Sequence, residues 1–236
     1  MNILLNNPRI YQDWTKYNTV YDERIKLNTN IDIFLKKYYN DQNKFTENDI
    51  SVYENIIPDN ILNNILDFLT DALWNYNYKT MDNNYIKNIN VEINCEEIKK
   101  FSIDLYHNIY FSSLLYKIIL PNLNIDNKDN LIIDRVFLSG RLHGLSDFFH
   151  KDNRSIENYG PSIYIFLNKD WKPYYDGSCV FILDEEDVTN TVHIENKLNR
   201  ILVFPPNIPH KFCEISGYGL LENAFSNILE YHLIYK

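Results

Sequence analysis

Short runs of β-branched and aromatic residues, separated by turn residues, fill the second half of the chain. Such runs are typical of strands in a β-rich domain. The predicted strands are Leu131–Leu138, Ser162–Asn168, Asp176–Phe181, Thr191–Ile194, Arg200–Phe204 and Ser226–Tyr235. The pattern predicts a mostly β core.

The first half carries apolar residues at helical spacing. Val52–Ile57 is a predicted strand, and Pro58-Asp59 then opens a helix whose apolar stripe runs from Ile61 to Trp74. A second helical pattern runs from Glu96 to Leu120 and is ended by Pro121. We expect these helices to flank the β core.

The remaining segments are less regular. Ile31–Tyr39 is compatible with a short helix, and Val91–Ile93 with a strand. No linker or internal repeat divides the chain. We therefore predict one domain over residues 51–236, preceded by an N-terminal extension over residues 1–50 that packs on it.

Composition narrows the function classes. The chain has 236 residues and a formal charge of −9, so broad electrostatic attachment to nucleic acid is unfavourable. Three cysteines without a C-x-x-C spacing argue against a disulfide framework and fit a reducing compartment. No signal-peptide or membrane-spanning apolar run is present. The expected location is cytoplasmic, and the oligomeric state stays open.

Three residues carry candidate metal chemistry. His150 and Asp152 are two positions apart, and on an extended segment their side chains point to the same face. His210 follows 60 positions after His150, within a Phe-Pro-Pro-Asn-Ile-Pro-His run. Two histidines and one carboxylate are the facial set that holds Fe(II) in oxygenases and leaves open positions.

The order of motifs resembles a known family. His-x-Asp is followed by a strand ending in Leu167-Asn168, then by Asp170-Trp171, a glycine-containing turn and finally Pro209-His210. This order resembles the prolyl 4-hydroxylase-like Fe(II)/2-oxoglutarate oxygenases, most of all the compact viral and phage members. The similarity covers roughly residues 50 to 236.

The resemblance implies a double-stranded β-helix, or jelly roll, with helices packed on one sheet. It places His150 and Asp152 at the start of the second core strand and His210 on the seventh. It implies Fe(II) on His150, Asp152 and His210, 2-oxoglutarate as cosubstrate, and ascorbate as a further candidate. The implied activity is hydroxylation of an unactivated C–H group in a prolyl or similar residue of a peptide, with a small molecule as the other substrate class.

One family feature is missing from the last strand. Family members usually place an arginine or lysine there, which binds the distal carboxylate of 2-oxoglutarate. Alignment by hydrophobic alternation puts Asn227 at that position, and no lysine or arginine lies between Lys211 and Lys236. Tyr164 is a candidate to replace an assisting tyrosine, because Phe166 stands at the expected place.

Three explanations remain open for the missing cation. A basic residue from another strand reaches in, with Arg141 the first candidate and Arg200 the second. Alternatively, the site uses another cosubstrate or none. In the third case the protein is an inactive jelly-roll binding module that retains its metal ligands.

Overall fold

The computed structural model describes residues 44–72, 75–76, 101–144, 149–152 and 158–236. Within these ranges, ten strands form two antiparallel sheets, and helices are interspersed between them. The strands are β1 (Ser51–Glu54), β2 (Asn75–Tyr76), β3 (Phe101–Asp104), β4 (Leu131–Arg141), β5 (Tyr159–Phe166), β6 (Cys179–Asp184), β7 (Asp187–Ile194), β8 (Arg200–Phe204), β9 (His210–Phe212) and β10 (Ser226–Tyr235). The predicted strands of the second half are confirmed, with shifted boundaries.

The helices are short. They comprise α1 (Asp59–Asp71), α2 (Ile109–Leu114), α3 (Leu120–Asn122) and α4 (Gly217–Leu221), and a π-helical segment, Leu115–Ile119, joins α2 to α3. Single 3-10 turns lie at Glu47–Asp49, Lys128–Asn130 and Pro173–Tyr175. Pro58 caps α1 as predicted, and Leu62 and Ile65 of its apolar stripe are buried. None of the described helices has the length and apolarity needed to cross a membrane.

The second predicted helix, Glu96–Leu120, is wrong in its first half. Phe101–Asp104 is a strand paired antiparallel with β4, and helix begins at Ile109 after Asn108, whose side chain caps it. Phe101 and Leu105 fit a helical spacing, but together with Ile103 they also alternate as in a strand, and pairing with β4 decides for the strand. Pro121 lies within α3, and the helix ends one residue later.

The larger sheet has seven strands in the order β1-β8-β5-β10-β4-β3-β2, and the smaller has β7-β6-β9. The smaller sheet is extended by one bridge, in which His150 and His210 exchange both backbone hydrogen bonds at 3.0 and 2.9 Å. This arrangement of two facing sheets with helices on one of them confirms the predicted jelly roll.

Two apolar clusters occupy the two faces of the larger sheet. On its outer face, Leu229, Tyr231 and Leu233 of β10 pack with residues of α1, α2 and the π-helical segment. On its inner face, Tyr164, Phe166 and Ile228 pack against the smaller sheet, whose contributions include Phe181 and Phe212. Alternate residues of β5 and β10 thus face helices or the space between the sheets.

The predictions for the N-terminal extension concern residues mostly outside the described ranges, as do those for Val91–Ile93 and Leu73-Trp74. Where the extension is described, Ile50 is buried between the sheets and Phe45 packs beside it. Lys44 forms an ion pair with Asp184 at 3.2 Å. The packing of the N-terminal extension before residue 44 stays a prediction.

Candidate metal centre

His150, Asp152 and His210 converge at one end of the space between the sheets. One ligand atom from each lies within 4.8 Å of the other two. Asp152 Oδ1 is 3.8 Å from His150 Nε2, and its Oδ2 is 3.7 Å from His210 Nε2. Ligands held about 2.1 Å from one ion lie about 3 to 4 Å apart, so the separations fit a shared divalent metal.

The backbone explains how distant positions meet. His210 is the first residue of β9, which pairs with β6. The His150–His210 bridge brings the loop after β4 alongside β9. A backbone hydrogen bond from Asp152 N–H to Pro206 O, at 2.8 Å, holds the next turn of the loop. His150 joins the smaller sheet through this bridge, and Asp152 lies outside the named strands. Residues 153–157 lie outside the described ranges, so the expected place of both residues at the start of a core strand stays a prediction. The loop is positioned by its neighbours across the sheet.

His210 is held in the tautomer that a metal needs. Its Nδ1 lies 3.0 Å from the carbonyl oxygen of Ile208, which can only accept, so Nδ1 carries the hydrogen and Nε2 keeps its lone pair. Burial lowers the pKa of His210 to about 4, although Asp152 opposes this shift. The ring is therefore neutral at physiological pH.

Asp152 is held in its ionised form. Burial alone would raise its pKa, but the imidazoles of His232, His210 and His150 and a hydrogen bond from Ser162 together lower it below the usual range. Ser162 Oγ donates to Oδ2 at 2.6 Å. A neutral imidazole and an ionised carboxylate are the protonation states that metal binding requires.

Tyr164 bridges two of the candidate ligands. Its hydroxyl lies 3.0 and 3.1 Å from the two carboxylate oxygens of Asp152 and 3.0 Å from His210 Nε2. Burial, and then the charge of Asp152, raises the pKa of Tyr164 well above its ordinary value. The phenol therefore stays protonated and donates to Asp152.

Among the described residues, the centre is most exposed beside His150. The side chain of His150 is 33% exposed, whereas those of Asp152 and His210 are 5% and 0% exposed. On the closed side, the rings of Phe204 and Phe181 lie 4.8 and 5.7 Å from the ring of His210. An ion held here would have aromatic rings behind His210, and His150 would be its most exposed ligand.

The inner face of the larger sheet builds rows of side chains leading away from the centre. In the first row His232 of β10 pairs with Ser162 of β5, and His232 Nδ1 lies 3.4 Å from Asp152 Oδ2. In the second row Glu230 pairs with Tyr164. Glu230 is therefore one row deeper than the candidate ligands.

Arg141 lies in the same interior. Its guanidinium stacks on Phe212 with 4.1 Å to the ring centroid, and Phe212 stacks in turn on Tyr164. Arg141 Nη2 is 3.8 Å from Glu230 Oε1, and Nη1 donates to Ser139 Oγ at 3.2 Å. One aromatic layer separates the guanidinium from the tyrosine that contacts the candidate ligands.

The other two anchor candidates lie elsewhere. Arg200 binds Glu54 of the edge strand β1 through Nη2 at 2.6 Å. Asn227 shares the alternation of Leu229 and Tyr231, which face the helices, and its backbone N–H donates to Asn168. Neither side chain joins the cluster around Asp152.

His232 and Glu230 were not predicted as site residues. Both are polar and buried at alternate positions, and the other residues of β10 from Ile228 onward are apolar or aromatic. That alternation was readable in the sequence as Glu-Tyr-His. Ser162 offered no such signal, because nothing in its neighbours distinguishes it from a packing residue.

Comparison with solved structures shows the fold. A prolyl hydroxylase from Trichoplax adhaerens, in complex with a peptide fragment of the hypoxia inducible factor oxygen degradation domain, matches with a TM-score of 0.56 and 14% identity over 91% of this chain and 92% of the other. HygX from Streptomyces hygroscopicus, with nickel, 2-oxoglutarate and hygromycin B bound, matches with a TM-score of 0.57 and 9% identity over 80% and 83%.

A 2OG-Fe(II) oxygenase family protein from Burkholderia pseudomallei matches with a TM-score of 0.57 and 11% identity over 87% of this chain and 90% of the other. No protein-family model matches the chain, and no curated protein matches it. The chain has the double-stranded β-helix of the Fe(II)/2-oxoglutarate oxygenases, which confirms the predicted resemblance at the level of the fold. The narrower similarity to viral and phage members stays a prediction.

Proposed function

We propose that the protein is an Fe(II)- and 2-oxoglutarate-dependent dioxygenase that hydroxylates an unactivated C–H group. The observation that carries the proposal is the convergence of His150, Asp152 and His210 within 4.8 Å in this fold. Two imidazoles and one carboxylate suit Fe(II) and leave positions for a cosubstrate and O₂. The bound iron would supply the oxidative chemistry.

The chain's own residues hold and orient this centre. The hydrogen bond from His210 Nδ1 to Ile208 leaves Nε2 available to hold the ion, and hydrogen bonds from Ser162 and Tyr164 orient the carboxylate of Asp152. Substitution of residues that hydrogen-bond to metal ligands typically lowers metal affinity about 10- to 100-fold. The aromatic walls exclude water behind His210, which protects a reactive centre from side reactions.

Arg141 is our proposed contact for the distal carboxylate of 2-oxoglutarate. It is a buried cation on the inner face of β4, and Phe212 and Tyr164 connect it to the candidate ligands. Tyr164 would then lie between the residues that hold one end of the cosubstrate and the cation that holds the other. Asn227, the sequence-based candidate for that position, keeps a structural role at the junction of β5 and β10.

The substrate that we propose is a prolyl or similar residue of a peptide. Its support is the likeness to the prolyl hydroxylase that binds a peptide, while the likeness to HygX with hygromycin B bound keeps a small molecule as the alternative class. Ascorbate is the proposed reductant for maintaining Fe(II). The intracellular location stays a proposal from the sequence, whose three cysteines lack a C-x-x-C spacing.

Succinate release tests the activity. Protein loaded with Fe(II) is incubated with 2-oxoglutarate, ascorbate and a pool of proline-containing peptides, and succinate and oxidised peptides are measured by mass spectrometry. We expect succinate and a 16 Da gain on one peptide class, and neither with His210→Ala. Metal binding without succinate formation under any condition would contradict the proposal.

One observation favours a second candidate, a binding module or a site with a different cosubstrate. Glu230 already lies beside Arg141 in the interior. Calorimetry without turnover measures whether 2-oxoglutarate binds. Binding favours the first candidate, and absence of binding favours the second.

A further inference from the structure

We propose that Glu230 determines cosubstrate specificity by competing with an incoming distal carboxylate for Arg141, so that the wild-type site discriminates poorly in favour of 2-oxoglutarate. This inference rests on the proposed function, because it concerns the same interior site. The proposed function assigns Arg141 to the distal carboxylate of 2-oxoglutarate. The further inference is that the carboxylate of Glu230 weakens this contact.

Arg141, Glu230 and Ser139 form a buried polar cluster. Arg141 Nη2 and Glu230 Oε1 are 3.8 Å apart, and their side chains are 4% and 3% exposed. Ser139 connects them: its hydroxyl donates to Glu230 Oε1 and accepts from Arg141 Nη1. In an interior of low dielectric, a carboxylate at this distance compensates the guanidinium charge.

Glu230 lies close to the residues around the candidate metal centre. Glu230 stands opposite Tyr164 in the strand pairing, and its Oε2 is 3.9 Å from Nε2 of His232. His232 in turn contacts Asp152. Glu230 therefore connects Arg141 to the candidate ligands through His232.

The carboxylate of Glu230 affects how a 2-oxo acid can bind beside Arg141. A 2-oxo acid binds a metal through its keto oxygen and C1 carboxylate, and a second carboxylate at the far end would have to share Arg141 with Glu230. Two carboxylates beside one guanidinium repel each other, and the repulsion is strong because the cluster is buried. A 2-oxo acid with an uncharged far end avoids this repulsion.

The experiment compares two cosubstrate probes of the same chain length. Wild-type protein is loaded with Mn(II) without O₂, and binding of 2-oxoglutarate and of 2-oxopentanoate is measured by calorimetry. Because Glu230 already compensates Arg141, we expect the wild type to prefer 2-oxoglutarate by about ten-fold or less. In Glu230→Gln we expect the preference to rise by about 10- to 100-fold, the range of one charge-assisted contact.

Glu195→Gln, which removes one exposed carboxylate, is the matched control and should keep the wild-type ratio. A wild-type preference above about ten-fold overturns the inference by itself, even if Glu230→Gln does not fold. An unchanged ratio in folded Glu230→Gln also overturns it. If Mn(II) binds but neither acid does, the cosubstrate part of the proposed function fails and the inference fails with it.

Discussion

The two faces of the larger sheet differ in what they bury. On β10, Leu229, Tyr231 and Leu233 face the helices, whereas Ile228, Glu230 and His232 face the smaller sheet. The outer positions bury apolar groups, which stabilises the fold. The inner positions bury charged and polar groups, which costs free energy unless each is paired.

The difference separates stability from chemistry along one strand. Residues of the outer face hold the sheet against the helices, and their exact chemistry does not bear on the metal centre. Residues of the inner face form a connected polar cluster from Asp152 to Arg141 in an otherwise apolar interior. Natural chains depart from an apolar core in this way at functional sites.

The largest expected effect comes from the outer face. Leu229→Ala should lower the free energy of unfolding by about 2–5 kcal/mol, because it leaves a cavity in a fully buried cluster. Denaturant unfolding measures this loss. Mn(II) affinity of the folded variant should stay at the wild-type value, and a large loss of metal affinity would contradict the separation of the two faces.

On the inner side, His210→Ala should lower Mn(II) affinity by at least about 100-fold, because the ion loses one of three protein ligands. Calorimetry or electron paramagnetic resonance measures this. His193→Ala, which removes an exposed imidazole from β7, is the matched control and should bind metal normally. Equal metal affinity in both variants would rule out His210 as a ligand.

Tyr164→Phe should have a smaller effect on the same property. The variant keeps the aromatic packing but removes the hydroxyl that donates to Asp152, so we expect about ten-fold weaker Mn(II) binding. The melting temperature with and without metal provides a second reading. Tighter metal binding would show that the hydroxyl competes with the ion for His210 and Asp152.

The smallest expected effect is that of Tyr231→Phe on the outer face. Its hydroxyl donates to the carbonyl oxygen of Phe111 at 2.9 Å, and the N–H of Leu115 donates to the same oxygen. The carbonyl therefore keeps a partner, and we expect a loss of about 1 kcal/mol in unfolding free energy. A loss near that of Leu229→Ala would mean that the hydroxyl holds α2 in place.

Several parts of the fold were readable from the sequence. The strands from Leu131 onward and the helix after Pro58 carry strong periodicity and turn residues, so their type is confirmed and their boundaries move by a few residues. Phe101–Asp104 was wrong, because its apolar residues suit two periodicities and β4 selects one of them. Local pattern cannot decide such a segment.

The site divides in the same way. The residue types and order of His150, Asp152 and His210 predicted a metal centre, because few chemistries use that set. Their position came from tertiary structure, because a bridge between His150 and His210 holds the loop beside β9. Arg141 was proposed as an anchor from the sequence, but its pairing with Glu230 was not.

The sequence by itself determined the alternation of strand residues and the kinds of ligand atoms, because both depend on local spacing and side-chain chemistry. Tertiary structure decided which residues share the interior. Register between β4, β5 and β10 sets Arg141, Tyr164, Glu230 and His232 on one face and turns Asn227 to the other. Register depends on contacts between residues far apart in the chain, and no single segment records it.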